Sequence, residues 1–168
     1  MIPDLNTIPE FYRNYIQSVL DADYLDLLGN VYDDAIAILD DISEKKANYA
    51  YAEGKWSIKD ILQHIIDSER IFTYRMVAIS RGEKQAISGY DHNDYVDCAK
   101  AKNRSFASLL KEYKNLHQST NDLIASFSNE MLQMTGNANG SDIKVIDLIY
   151  INGGHQKHHI KILKERYL

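Results

Sequence analysis

The amino-acid sequence predicts an all-α protein, a four-helix bundle of antiparallel helices with a long loop between the second and third. Three observations carry that expectation. The two prolines, Pro3 and Pro9, both fall in the first ten residues, so no later segment contains this helix breaker. Apolar residues recur at three- and four-residue spacings through four long segments, which gathers them on one helical face. The tracts between those segments are rich in Gly, Asn and Asp, and no stretch reads as a convincing strand. Amphipathic helices of about 20 to 25 residues bury their apolar stripes against one another, most simply as a bundle.

The first segment runs from Glu10 to about Ser43, with Phe11, Tyr15, Val19, Leu27, Leu28, Val31, Ile36, Ile38 and Leu39 in helical register. A break is expected near Asp21 to Asp23. Ser57, with Asp60 three positions later, is a capping signature that opens the second helix. Its stripe of Ile58, Ile61, Leu62, Ile65, Ile66, Phe72, Met76 and Ile79 continues to about Ser80, and Gly82 stops it. From Glu83 to Asn103 the periodicity fades, and Gly89, Asp91, His92, Asn93 and Asp94 cluster around Tyr90 and Tyr95, as in a long loop or lid. Helical spacing resumes from Phe106 to Phe127. Asn129 to Asp142 carries turn chemistry in Gly136, Asn137, Asn139 and Gly140. The last helix spans Ile143 to about Tyr167, with Lys161, Lys164 and Arg166 suiting its C-terminal dipole.

A length of 168 residues fits one domain over residues 1–168. Nineteen Lys and Arg against 24 Asp and Glu leave a net charge of −5, with the cations scattered among acids, so no surface is built to track nucleic acid. Charges interrupt every apolar segment well before the roughly 18 to 20 residues that span a bilayer. The N-terminus carries Asp4 and the two prolines where a signal peptide has a basic flank and an apolar run, and Cys98 is the single cysteine. Both point to the cytoplasm.

Three of six histidines crowd the last helix. His155 and His159 lie about 40° apart on one face, one turn above the other, within the stripe that includes Leu148, Ile151 and Ile162. Such a pair can grip one ion, but a divalent transition metal needs at least a third donor. His64, mid-helix among Ile61, Ile65, Ile71 and Phe72, is the candidate, and Asp60 or Asp67, one turn to either side, could accept a hydrogen bond from its ring. A lone helical histidine is more often a satisfied core residue than a ligand. An inward pair is less ordinary, because each buried neutral imidazole needs hydrogen-bond partners. His158 falls toward the edge of the stripe, as a surface group or a support behind the ligands. His92 reads as a loop residue and His117 as an exposed helix residue.

The run KWSIKDILQHIIDSERIFTYRMVAISRGEK at 55–84, SGYDHNDYV at 88–96 and NGGHQKHHIKILKERY at 152–167 closely resemble the DinB-like superfamily, metal-dependent proteins that include bacterial thiol S-transferases of the bacillithiol type. The opening FYRNYIQSVLDADYLDLL is similar to that family's first helix. The resemblance implies a four-helix bundle, often a homodimer, with a divalent metal, zinc or nickel, on three histidines that fall here on His64, His155 and His159.

An ion held by three neutral imidazoles keeps an open position, where it lowers the pKa of water and, more readily, of a thiol. Two reactions are then open: transfer of a low-molecular-weight thiol to an electrophile, to which the resemblance inclines, and hydrolysis of an amide or ester. A stress-related protein that binds metal and ligand without turnover is a third reading. Glu69, about 140° around from His64, reads as a buried carboxylate in need of a partner such as Arg or Tyr, with a structural role ahead of a catalytic one. Arg75, within about 20° of His64 three turns on, is placed either to bind an anionic group or as a solvated charge. The Tyr90–Tyr95 loop is placed to cover the site. Trp56 reads as packing at the helix start, and Cys98 as an incidental thiol.

Overall fold

The helical periodicity resolves into eight α-helices and one small hairpin in the computed structural model, which describes residues 1–168. The first segment is two helices, α1 (Glu10–Gln17) and α2 (Tyr24–Leu39), broken where expected; the Asp23 carboxylate caps α2 by accepting the Leu25 N–H. One turn, α3 (Glu44–Ala47), leads to α4 (Ile58–Ser80). There the capping box forms in full: Ser57 Oγ accepts the Asp60 N–H at 3.2 Å and Asp60 Oδ2 accepts the Ser57 N–H at 2.9 Å. Such a cap contributes about 1 kcal/mol. After it come α5 (His92–Ala99), a 3-10 turn (Ala101–Asn103), α6 (Phe106–Ala125), α7 (Asn129–Gln133), strands β1 (Thr135–Ala138) and β2 (Ser141–Lys144), and α8 (Val145–Arg166).

Two elements depart from expectation. The 83–103 tract contains α5, capped by an Asp91 carboxylate that accepts the N–H groups of Asn93 and Asp94. It is eight residues long and buries only Val96, too little to leave a periodic stripe. The 129–142 tract, read as turn, contains most of a hairpin: β1 and β2 pair antiparallel, with Thr135 opposite Lys144. Its two central residues, Asn139 and Gly140, have φ of 55° and 77°, the conformation that a type I′ turn requires and Asn-Gly supplies. Ile87 donates its N–H to Asn137 and accepts from Asn139, which stitches the tract before α5 to this hairpin.

The long helices α2, α4, α6 and α8 enclose one interior, with α8 packed against α1, α2 and α4. Antiparallel packing holds for α4 with α8, as Trp56 meets Tyr167 and Glu69 meets Gln156, and for α2 with α6, as Asp40 meets Lys114 and Tyr32 meets His117. The long connection through α5 lets α6 return alongside α4 in the same direction. Contacts from Gln63 to Arg104 and from Arg70 to Glu112 mark that register.

Apolar packing forms two clusters. One joins α1 and the start of α2 to the hairpin and the first half of α8, with Phe72, Met76 and Ile79 from α4. The other joins the first half of α4 to Phe106, Leu109 and Tyr113 of α6 and Ile160 and Leu163 of α8. Fully burying each Leu or Ile stabilises by about 1.5 to 3 kcal/mol. Along both α4 and α8 the switch from one cluster to the other falls at buried polar residues: Ser68 and Glu69 on α4, one turn beyond the buried His64, and Asn152, His155 and Gln156 on α8. This polar layer positions the site. No helix is long and apolar enough to cross a membrane.

Candidate metal centre

His64 projects from the second turn of α4, and His155 and His159 from adjacent turns of α8. Antiparallel packing brings them together: His64 Nε2 lies 2.9 Å from His155 Nε2, which lies 3.1 Å from His159 Nε2. His64 and His155 are 5 % and 6 % exposed. Burial pushes His64 down to about 4 and drives His155 and His159 well below the ordinary imidazole range, with repulsion between the rings adding to the effect. All three are therefore neutral at pH 7, the form that offers a lone pair. The Nε2 of His155 carries either one proton or one lone pair, so it satisfies one neighbouring ring and not both. A cation resolves that conflict by accepting all three lone pairs. Tetrahedral zinc with Zn–N bonds of about 2.0 to 2.1 Å sets its nitrogens about 3.3 Å apart; the two spacings above fall a few tenths of an ångström short of that, and all three donor atoms lie within 4.8 Å of one another.

Neither carboxylate expected behind His64 reaches it. Asp60 is committed to the capping box, and Asp67 accepts from Gln63 Nε2 at 2.9 Å. Aromatic rings flank the imidazoles instead. Tyr15 and Phe72 meet His155 edge-on, at 5.5 and 5.8 Å between ring centres, and Trp56 lies 4.9 Å from His64. His155 Nδ1 is enclosed with no hydrogen-bond partner. Two consecutive glycines admit the neighbouring helices to α8 just before His155. A Cβ on Gly154 would lie 2.1 Å from the Tyr15 carbonyl oxygen, and one on Gly153 would lie 2.8 Å from the Leu27 side chain. The close approach of α1 at Gly154 is what sets Tyr15 against His155.

The triad forms the floor of a cavity of about 450 Å³. Phe11, Tyr12 and Tyr15 of α1 form one wall, and Tyr90, His92 and Asn93 another. The hairpin contributes Asn139, α4 contributes Phe72 and Arg75, and α8 contributes His158. No carboxylate lines it. Of the Tyr90–Tyr95 loop expected to cover the site, Tyr90, His92 and Asn93 line the cavity, and the Tyr90 hydroxyl hydrogen-bonds Ser68 Oγ at 2.8 Å. Tyr95 lies outside the cavity, on a surface groove with the exposed Cys98. Trp56 both packs at the helix start and lines the cavity. His92, read as a plain loop residue, stands 6.0 Å from the rings of both Trp56 and His64. The Asp91 cap, which sets His92 on the first turn of a helix, was the signal for it.

Glu69 is fully buried, and its partner is an amide rather than Arg or Tyr: Gln156 Nε2 donates to Oε2 at 3.1 Å, and Gln156 in turn accepts from the Tyr113 hydroxyl at 2.9 Å. Burial raises the Glu69 carboxyl to about 7, against the pull of Gln156 and the nearby Thr120 hydroxyl, and leaves Oε1 without a hydrogen-bond partner. Arg75 is not a solvated charge but 2 % exposed, and its Nη2 donates to the Ser88 carbonyl at 3.1 Å. His117, expected on the surface, is buried against Tyr32, with ring centres 4.0 Å apart and planes within 11°. His158 is exposed at the mouth.

A profile of the DinB superfamily matches residues 27–163. No curated protein matches the sequence significantly. Among solved structures, the fold is similar to that of YfiT from Bacillus subtilis, described as a probable metal-dependent hydrolase with an unusual four-helix bundle topology. The TM-score is 0.75 at 17 % identity, covering 98 % of this chain and 90 % of that one. The superfamily match takes in α4, α6, all but the start of α2 and α8 through Leu163, so it includes every histidine of the converging triad; this chain belongs to the DinB superfamily.

Proposed function

We propose that the protein is a metal-dependent enzyme in which His64, His155 and His159 hold one divalent transition ion, zinc or nickel, and that it transfers a low-molecular-weight thiol to a small electrophile in the cavity above them. The observation that carries this reading is the convergence of three neutral Nε2 atoms on one point of the cavity floor. An ion bound by three imidazoles with an open position lowers the pKa of a coordinated thiol or water. The protein's own contribution is placement and exclusion. Burial keeps the imidazoles unprotonated, Tyr15 and Phe72 fix the His155 ring, and the aromatic wall of α1 limits water. A thiol, whose ordinary pKa near 8.5 already lies close to neutrality, is the group such a site would ionise most readily.

Hydrolysis is the second reading, favoured by the description of the structurally similar YfiT. In that case His92 or His158, both on the cavity wall, would accept the proton of the attacking water. Steady-state product release by metal-loaded and chelated protein, across a panel of small thiols and electrophiles, separates the readings. Thiol-dependent turnover that chelation abolishes is the expected result. Turnover in water alone assigns hydrolysis, and no turnover with any pair leaves a binding protein. The homodimer that the family implies is tested by sedimentation at micromolar concentration, with a species of twice the chain mass expected.

A further inference from the structure

We propose that Arg75 is the anion anchor of the cavity, and that the substrate is a small molecule whose carboxylate lies at the end remote from its reacting atom. This deepens the reading of the cavity as a substrate chamber and rests on it. Arg75 is 2 % exposed yet has no acidic partner, while Arg70 and Arg104 share Glu112. Of its five N–H donors only one at Nη2 is engaged, by the Ser88 carbonyl, and Nε is enclosed with no partner. Pinning one carbonyl does not require a charge. Burying an unpaired guanidinium destabilises a fold, so the charge points to a ligand that supplies the missing anion.

Position and chemistry narrow that ligand. Arg75 lines the same cavity as the triad, eleven residues beyond His64 on α4, or about 16 Å of helical rise. An arginine side chain on a helix leans back toward the N-terminus, here toward the histidines. The anion and the reacting atom therefore occupy opposite ends of one chamber. No second Lys or Arg lines it, so the available charge matches a single carboxylate rather than a dianionic phosphate. A planar carboxylate also suits the flat guanidinium fork. Phe72 and Tyr12 provide an apolar wall for the body of the molecule.

The test uses 4-phenylbutyrate and its neutral amide as probes, with binding measured calorimetrically on the full chain after chelation of metal. The wild-type protein is expected to bind the carboxylate at least about 30-fold more tightly than the amide, the discrimination typical of a buried charge pair. Arg75→Met and Arg75→Gln should abolish that preference, Arg75→Lys should retain part of it, and Arg75→Met should melt no lower than wild type. Equal affinity for the two probes, no binding of the carboxylate at millimolar concentration, or an undiminished preference in Arg75→Met or Arg75→Gln overturns the proposal. So does a lower melting temperature in Arg75→Met, which would make Arg75 a structural residue. Because the binding is read without metal and without turnover, failure of the metal reading leaves these outcomes unchanged.

Discussion

His117 and His155 are each 6 % exposed, each mid-helix, and each held by burial below the ordinary imidazole range, yet their surroundings differ in one decisive respect. His117 Nε2 meets a private partner, the Asn121 amide at 2.8 Å, and its ring stacks on Tyr32. His155 Nε2 meets two other imidazoles that it cannot satisfy together. Burial and a lowered pKa make an imidazole neutral, and both regions share that property. What its lone pair faces separates a packing residue from a candidate ligand.

The largest effect that bears on this contrast is loss of metal. His155→Ala and His159→Ala are expected to weaken metal binding by more than about 100-fold, beyond the roughly 10- to 100-fold that groups outside the ligand set cost. His117→Ala should leave it unchanged, and all three variants should keep their helical circular dichroism. Metal content after dialysis is the measurement, and equal loss from His117→Ala would erase the distinction.

Proton linkage gives the next effect, with opposite signs at two buried groups of metal-free protein. His117 titrates near 4 when folded and near 6.5 when unfolded, so stability present above pH 6.5 is lost as pH falls toward 4, by up to about 3 kcal/mol. His117→Phe should lack that part of the acid sensitivity. Glu69 is raised to about 7, so its contribution is present below about pH 4.5 and is lost as pH rises through 7, again by up to about 3 kcal/mol. Glu69→Gln should therefore be more stable than wild type at pH 8, with the gap shrinking toward pH 4.5. Denaturant titrations at several pH values check both signs.

Backbone approach comes third. Gly154→Ala sets a Cβ against the Tyr15 carbonyl and should cost about 1 to 3 kcal/mol, whereas Gly153→Ala meets the buried Leu27 side chain, which can shift more readily than backbone, and regains helix propensity, so its cost should be smaller. Thermal melts of the two variants decide the order. The smallest effect is expected from Cys98→Ser, within about 0.5 kcal/mol of wild type and with metal binding unaltered.

The bundle and the convergence of the triad were legible in the sequence for separable reasons. Periodicity placed His155 and His159 on one inward face, the Ser57 capping box set the start of the helix carrying His64, and family resemblance joined the distant stretches. Periodicity sets the His155–His159 face but does not tell which other residues of α8 are buried, because α1, α2 and α4 surround residues 145–156 on every side. The Gln156–Glu69 pairing is hidden for that reason, and the sequence suggests an Arg or Tyr in its place. The burial of His117 depends on Tyr32, some 85 positions away and out of reach of any local pattern. The hairpin was missed although Asn139-Gly140 announced it, because four-residue strands flanking that turn carry few β-formers.

X-ray absorption at the metal edge, on protein loaded with one equivalent of zinc or nickel, tests the central claim most directly. The expected spectrum shows three imidazole nitrogens, at about 2.0 to 2.1 Å for zinc, with at least one further light-atom ligand in the open position. It should lose one imidazole shell in His64→Ala. A spectrum with fewer than two imidazoles, or one that His64→Ala leaves unaltered, would contradict the account.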